Sequence, residues 1–115
     1  MAQYIIYFNQ QWVGDHSEEW FNSRGPLARA VVSEMKDAGV LVAAGGLEEE
    51  IESAFGFDEK GNLSGPIITS GDFLGGLTII EVSSENEAKM WGAKVAQACG
   101  WPQEVRKFKG FELQN

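Results

Sequence analysis

Cysteine, proline and basic residues are all scarce in this chain of 115 residues. The single cysteine, Cys99, excludes an internal disulfide and a cysteine-based zinc site. Nine Lys and Arg stand against 17 Asp and Glu, which gives a net charge of −8. Nucleic-acid binding needs clustered cations, so this charge balance excludes nucleic acid as an expected partner.

Long hydrophobic runs are also missing. No apolar stretch approaches the roughly 20 residues that cross a bilayer, and the opening residues MAQYIIYFNQ carry neither a basic leader nor a secretory apolar segment. The sequence therefore predicts a cytoplasmic protein with no membrane partner. Its length favours a single domain over residues 1–115, large enough to bury a hydrophobic core.

The first half of the chain alternates strand and helix signals. Tyr4 to Phe8 is an unbroken β-branched and aromatic run, typical of a buried strand. Ser17 suits the N-cap of a short helix. Apolar residues then recur at helical spacing from Leu27 to Ala38, with Pro26 expected in the first turn of this second helix and Gly39 just after its end.

The second half repeats the alternation after a hairpin. The predicted elements are strand Val40–Ala44, hairpin arms Ala54–Asp58 and Leu63–Thr69 with Pro66 at a sheet edge, strand Leu77–Val82 after Gly75 and Gly76, a helix capped by Ser84 and Glu87 and ending at Gly100, and strand Val105–Phe108. This order predicts an α+β, ferredoxin-like βαβ(ββ)βαβ subunit. Its antiparallel sheet carries two helices on one face.

The strands are apolar on both faces, which predicts a partner. Ile5 and Tyr7 alternate with Tyr4, Ile6 and Phe8, so a sheet covered by helices on one side exposes apolar residues on the other. An exposed patch of several hundred Å² is unusual on a soluble monomer. We therefore expect a homodimer in which two sheet faces pack together as an α/β barrel.

Several of these segments, taken in order, resemble the YCII-related family, in particular its DGPF-motif branch. The resemblance rests on Ala38-Gly39-Val40-Leu41, Ala44-Gly45-Gly46, Thr69-Ser70-Gly71-Asp72-Phe73, Gly75-Gly76 before a strand, Glu87-Ala88 with Trp91, and Glu104-Val105-Arg106. It implies a dimeric α/β barrel of ferredoxin-like subunits. Most members of that family have no assigned activity.

The chain departs from the family pattern at two places. Ser70-Gly71-Asp72-Phe73 stands where the branch has Asp-Gly-Pro-Phe, and Pro26 replaces the His that opens a His-Leu-Ala-Arg run in members suspected of catalysis. The acid–base pair that the resemblance would imply is therefore not carried over at these positions.

His16, the single histidine, is the candidate general acid or base, because histidine has an ordinary pKa near neutrality. Asp72 is its expected carboxylate partner, since the short loop of Asp72 is predicted to face His16 across a cleft. Alternatively, His16 is a surface residue and Asp72 a turn residue that bonds the backbone. No ligand spacing indicates a metal, and no glycine motif indicates a cofactor.

Aromatic residues near His16 indicate a ligand pocket, or alternatively a plug at the barrel mouth or dimer seam. The candidate ligand-binding residues are Trp12, Trp20, Arg29 and Ser70, with Arg29 as an anchor for an acidic ligand or a partner in a surface ion pair. The sequence thus favours a dimeric barrel that binds a small molecule without established catalysis. The alternative is a cofactor-independent enzyme that acts on a small apolar or aromatic metabolite through His16.

Overall fold

The computed structural model describes residues 1–113 and contains six strands and two α-helices. In chain order they are β1 (Ala2–Asn9), α1 (Glu18–Asp37), β2 (Leu41–Gly46), β3 (Gly56–Phe57), β4 (Leu63–Ser64), β5 (Leu74–Val82), α2 (Glu85–Cys99) and β6 (Glu104–Lys107). No helix in the described part of the chain has the length and apolar character needed to cross a membrane.

Four strands form the main sheet in the order β2-β5-β1-β6, and each neighbouring pair is antiparallel. Tyr4 faces Ile80 across the central pair, and Ile6 faces Val105 across the pair of β1 with β6. The predicted α+β class, with an antiparallel sheet and two helices, is confirmed. The strand order is compatible with a ferredoxin-like fold.

One face of the sheet carries the core and both helices. Ile6, Met35, Ile80 and Val82 are the largest fully buried side chains, and they come from β1, α1 and β5. Helix α2 adds Trp91 and Val95 to the same cluster. Because residues of both helices contact the alternate residues of β1 and β5, the two helices share this face of the sheet.

The opposite sheet face is covered by neither helix. Ile5 and Tyr7 of β1 lie beside Ile79 and Leu77 of β5 in the antiparallel register, and all four side chains are half-buried. A strand that is buried on both faces was expected from the unbroken apolar run. In the chain by itself, one of those faces lacks a covering helical layer.

Helix α1 differs from the prediction because it is one helix of 20 residues that passes through Pro26. The predicted break at Pro26, with a short helix before it, is wrong. Ser17 is the N-cap as expected, and its Oγ accepts a hydrogen bond from the backbone of Trp20 at 3.1 Å. Pro26 lacks the N–H that would bond the carbonyl of Asn22, but Asn22 is exposed to water. Gly25 has no Cβ to clash with the proline ring, so the helix continues.

Helix α2 begins and ends where expected. The Ser84 Oγ accepts from the backbone N–H of Glu87 at 3.2 Å, while the Glu87 carboxylate accepts from the Ser83 hydroxyl at 2.8 Å. The acid thus reaches one residue further back than in an ordinary capping box. Gly100 has a φ of 89°, the left-handed conformation that commonly ends a helix.

The predicted hairpin is present but short and separate. Strands β3 and β4 have two residues each, form their own two-stranded sheet, and leave Pro66 beyond the paired arm. The Asp58 carboxylate holds the turn, since its Oδ1 accepts from the backbone N–H groups of Lys60 and Asn62 at 2.9 Å. These bonds, with that from Asn62 the largest contribution, lower the pKa of Asp58 below its ordinary value.

Gly92 lies where α2 packs closely against β6. A Cβ at Gly92 would lie 2.7 Å from the Cγ2 of Val105, which is too close for unstrained packing. We expect Gly92→Ala to lower the free energy of unfolding by about 1–3 kcal/mol, as measured by urea denaturation. In a Val105→Ala background the clash is absent, and the same change should cost less than about 0.5 kcal/mol because alanine favours helix. An equal cost in both backgrounds would contradict this packing.

Candidate functional site

A cavity of about 610 Å³ lies at one end of the main sheet. It is bounded by the segment that follows β1, by Gly46 at the end of β2 and by Gly75 near the start of β5. The segment after β1 makes a short 3-10 turn over Gln10–Trp12 and then runs to the cap of α1. Sequence-distant segments therefore meet at this cavity.

Three hydrogen bonds join the segment after β1 to the loop before β5. The backbone N–H of Gln10 donates to the carbonyl of Phe73 at 2.8 Å, and the side-chain amide of Gln11 donates to the carbonyl of Gly71 at 2.8 Å. The backbone N–H of Phe73 donates back to the Gln11 Oε1 at 3.0 Å. These bonds hold the loop before β5 against the segment after β1.

The apolar part of the cavity wall comes from Phe8, Val13, Phe21, Leu47 and Trp101. The ring of Phe8 packs edge-on against Trp101, with the centroids 5.1 Å apart. It also lies directly over β5, because a Cβ at Gly75 would come within 2.6 Å of the Phe8 ring. The glycine pair of β5 therefore makes room for an aromatic wall.

A stack of side chains supports His16. The imidazole lies parallel to the Trp20 indole, with the centroids 3.6 Å apart and the planes inclined by 14°. The Arg24 guanidinium lies 4.8 Å from the centroid of the same indole, and Phe21 meets the imidazole edge-on at 5.7 Å. A close parallel stack occupies one face of the indole, so Arg24 takes the other face.

His16 is oriented by a backbone carbonyl. Its Nε2 lies 2.9 Å from the oxygen of Val13. A carbonyl oxygen only accepts hydrogen bonds, so Nε2 carries the proton, and in the neutral ring Nδ1 is the acceptor. Gln10, Gln11, Asp15 and Glu49 are the other polar side chains that line the cavity. The site therefore combines an aromatic wall with a small number of hydrogen-bonding groups.

The six residues proposed from the sequence are not gathered at one place. His16 lines the cavity, and the Trp20 indole stacks on the His16 imidazole. Trp12 packs near Tyr7 instead, with the ring centroids 6.2 Å apart. The other three, Arg29, Ser70 and Asp72, are exposed and do not line this cavity. The hydrogen bond that orients His16 goes to the Val13 carbonyl and not to Asp72. The functional roles proposed for the six residues stay predictions.

Most of the lining residues were not recognised from the sequence as parts of a site, and Gln10, Glu49 and Trp101 are examples. Gln10 follows β1, Glu49 belongs to the acidic stretch after β2, and Trp101 follows the end of α2. Each lies in a different segment, so no local spacing relates them. The nearest signal was the cluster of aromatic residues around His16.

Neither a reactive thiol nor a metal-binding cluster is evident in residues 1–113. Burial of the Cys99 thiol raises its pKa, so this thiol is largely protonated and weakly nucleophilic near neutrality. Within the same residues, no group of three or more His, Cys, Asp and Glu side chains is placed to hold a metal ion. The lining of the cavity therefore indicates more about function than the Cys99 thiol does.

Neither a protein-family model nor a curated protein sequence matches the chain.

Gly75 should be required for the shape of the aromatic wall. A Cβ at Gly75 would lie 2.6 Å from the Phe8 ring and 2.9 Å from the Gln10 Oε1. We expect Gly75→Ala to lower the free energy of unfolding by about 1–3 kcal/mol in urea denaturation, because Phe8 must move.

The matched control is Gly45→Ala in the neighbouring strand, where a Cβ would meet nothing within 4 Å. Alanine is favoured over glycine in strands, so this change should leave stability unchanged or raise it by at most about 1 kcal/mol. Similar losses for the two variants would contradict the packing of Phe8 on Gly75.

Proposed function

We propose that the protein is a small-molecule-binding dimeric α/β barrel, built from ferredoxin-like subunits and related to the YCII-related family. The cavity of about 610 Å³ at the end of the sheet is the observation that carries the binding function. Small-molecule sites commonly have volumes of about 300–1,000 Å³, apolar and aromatic walls, and a few polar groups that orient the ligand.

The uncovered sheet face supports the dimer. Ile5, Tyr7, Leu77 and Ile79 form an adjacent set on the face that neither helix covers. Apolar surface of this kind is stabilised when a second layer removes it from water. A second copy of the sheet offers a layer of matching size and chemistry. The strand order β2-β5-β1-β6 supports the ferredoxin-like description of the subunit.

The surroundings of His16 favour binding over catalysis. In the Ser-His-Asp arrangement a carboxylate both orients the histidine and stabilises the imidazolium that forms during proton transfer, and a neutral carbonyl does only the first. Among the described residues, the Nε2 of His16 bonds to the Val13 carbonyl, and no hydrogen bond joins His16 to Asp72. The imidazole is further held by its stack on Trp20. These contacts support a role for His16 as an oriented polar side chain in the cavity wall.

Small aromatic fragments should bind in the cavity. We expect them to shift the amide NMR signals of Val13, Gly14 and Phe21, which lie at the cavity wall. Phe21→Ala removes a wall ring that is 39% exposed and should weaken binding by about fivefold, which corresponds to roughly 1 kcal/mol of lost apolar contact.

The matched control is Phe57→Ala, which removes a ring that is 52% exposed on β3 and does not line the cavity. It should leave the dissociation constants unchanged. Fragments that shift no cavity signal, or that respond equally to the two substitutions, would overturn the proposed binding function.

The protein should form a dimer through the open sheet face. Light scattering coupled to size exclusion is expected to give twice the chain mass of 12.6 kDa at micromolar concentration. Ile79→Lys places a charge in the centre of the open face and should give a folded monomer. Met90→Lys, at a side chain 41% exposed on α2, should leave the dimer intact. A folded wild-type monomer at that concentration would refute the dimer.

A further inference from the structure

We propose that the ligand of this cavity is a small organic cation, an apolar or aromatic group that carries an ammonium. The inference rests on the proposed binding function and adds the chemical class of the ligand. It follows from the charges, the hydrogen-bonding capacity and the aromatic walls of the same cavity.

The charged side chains of the cavity wall are acidic. Asp15 and Glu49 line it, and none of the lysines and arginines within residues 1–113 does. Arg24 lies over the Trp20 indole, and the guanidinium of Arg29 lies close to Gly25 on α1. An anionic ligand would therefore meet two carboxylates and no cation in the wall, whereas an ammonium group would meet charges of opposite sign.

The hydrogen-bonding groups also favour a donor ligand. Both carboxylates accept hydrogen bonds, and in neutral His16 the free ring nitrogen, Nδ1, accepts as well, because Nε2 donates to Val13. The amide of Gln11 is engaged at both ends, by Gly71 and Phe73. Gln10 also lines the cavity, and its amide both donates and accepts. An ammonium group has three donors and no acceptor, which matches the acceptors that the two carboxylates, His16 and Gln10 contribute.

The aromatic wall favours the same class. Phe8, Phe21 and Trp101 line the cavity, and the faces of aromatic rings attract organic cations. A primary amine on an aromatic frame would place its ring against these residues and its charge toward the carboxylates. The net charge of −8 adds a long-range field that attracts cations to the whole molecule.

The experiment compares three ligands of nearly equal shape. The probes are 2-phenylethylammonium, 2-phenylethanol and phenylacetate, each titrated into the full chain up to about 10 mM and followed by amide NMR. We expect the ammonium to bind about tenfold more tightly than the alcohol, since exposed ion pairs and cation–π contacts are individually modest. Phenylacetate should bind most weakly, and added salt should weaken only the ammonium markedly.

Two pairs of variants isolate the cavity carboxylates. Asp15→Asn and Glu49→Gln should each weaken ammonium binding by about threefold and leave alcohol binding unchanged. Their controls are Asp72→Asn and Glu48→Gln: all four residues are exposed, but these two do not line this cavity. All four substitutions change the net charge by the same amount, so a difference within a pair reports local contact.

The results of these titrations distinguish failure of the cation assignment from failure of the proposed binding function. Cavity shifts with the alcohol but no preference for the ammonium would overturn the cation assignment and leave the binding function standing. An ammonium preference that the control substitutions reduce as much as Asp15→Asn and Glu49→Gln would attribute it to net charge and also overturn the assignment. Absence of cavity shifts with all three probes would contradict both proposals.

Discussion

The pairing of β1 with β5 is the contact on which the rest of the structure depends. These two strands form the centre of the sheet and contribute Ile6, Ile80 and Val82, all fully buried, to the core beneath both helices. Toward the other end of the same pair, Phe8 faces Gly76 and its ring lies across the glycine backbone. One continuous register thus places the core under the helices and the aromatic wall at the cavity. A slip of one residue would exchange the two sheet faces and remove both.

The cavity depends on a second constraint, which is the anchoring of irregular segments. The short turn after β1 has no ladder partner of its own, and its stability comes from the paired hydrogen bonds of Gln10 and Gln11 with the loop before β5. His16 is held in turn by Trp20 and the Val13 carbonyl. The Gln11 amide and the Nε2 of His16 are thus engaged in hydrogen bonds within the protein. The carboxylates of Asp15 and Glu49 are the charged groups of the lining. This division of roles supports a preference for cationic ligands.

Local signals in the sequence predicted much of the fold. Ser17 and Ser84 cap their helices, and the glycines after each helix adopt the left-handed conformation, because these preferences act over a single turn. Pro26 was misleading, since the preference of proline for the first turn of a helix was outweighed here by the absence of a Cβ at Gly25 and by the exposure of Asn22 to solvent. The length of the hairpin arms was overestimated because local propensity again did not decide the structure. Apolar residues such as Ile67 and Ile68 have strand propensity but no strand to pair with.

The sequence by itself determined the α+β class, the two capped helices and the apolar faces of the central strands, because these depend on periodicity and on residues close along the chain. Of the residues at the cavity it singled out His16, which lines it, and Trp20, which lies four residues further on and stacks on the imidazole. Only the tertiary structure decided that Glu49 and Trp101 line the same cavity as His16, while Arg29 and Asp72 do not line it. The physical reason is that the ends of several distant segments form this cavity, and their relative positions depend on strand register and side-chain packing.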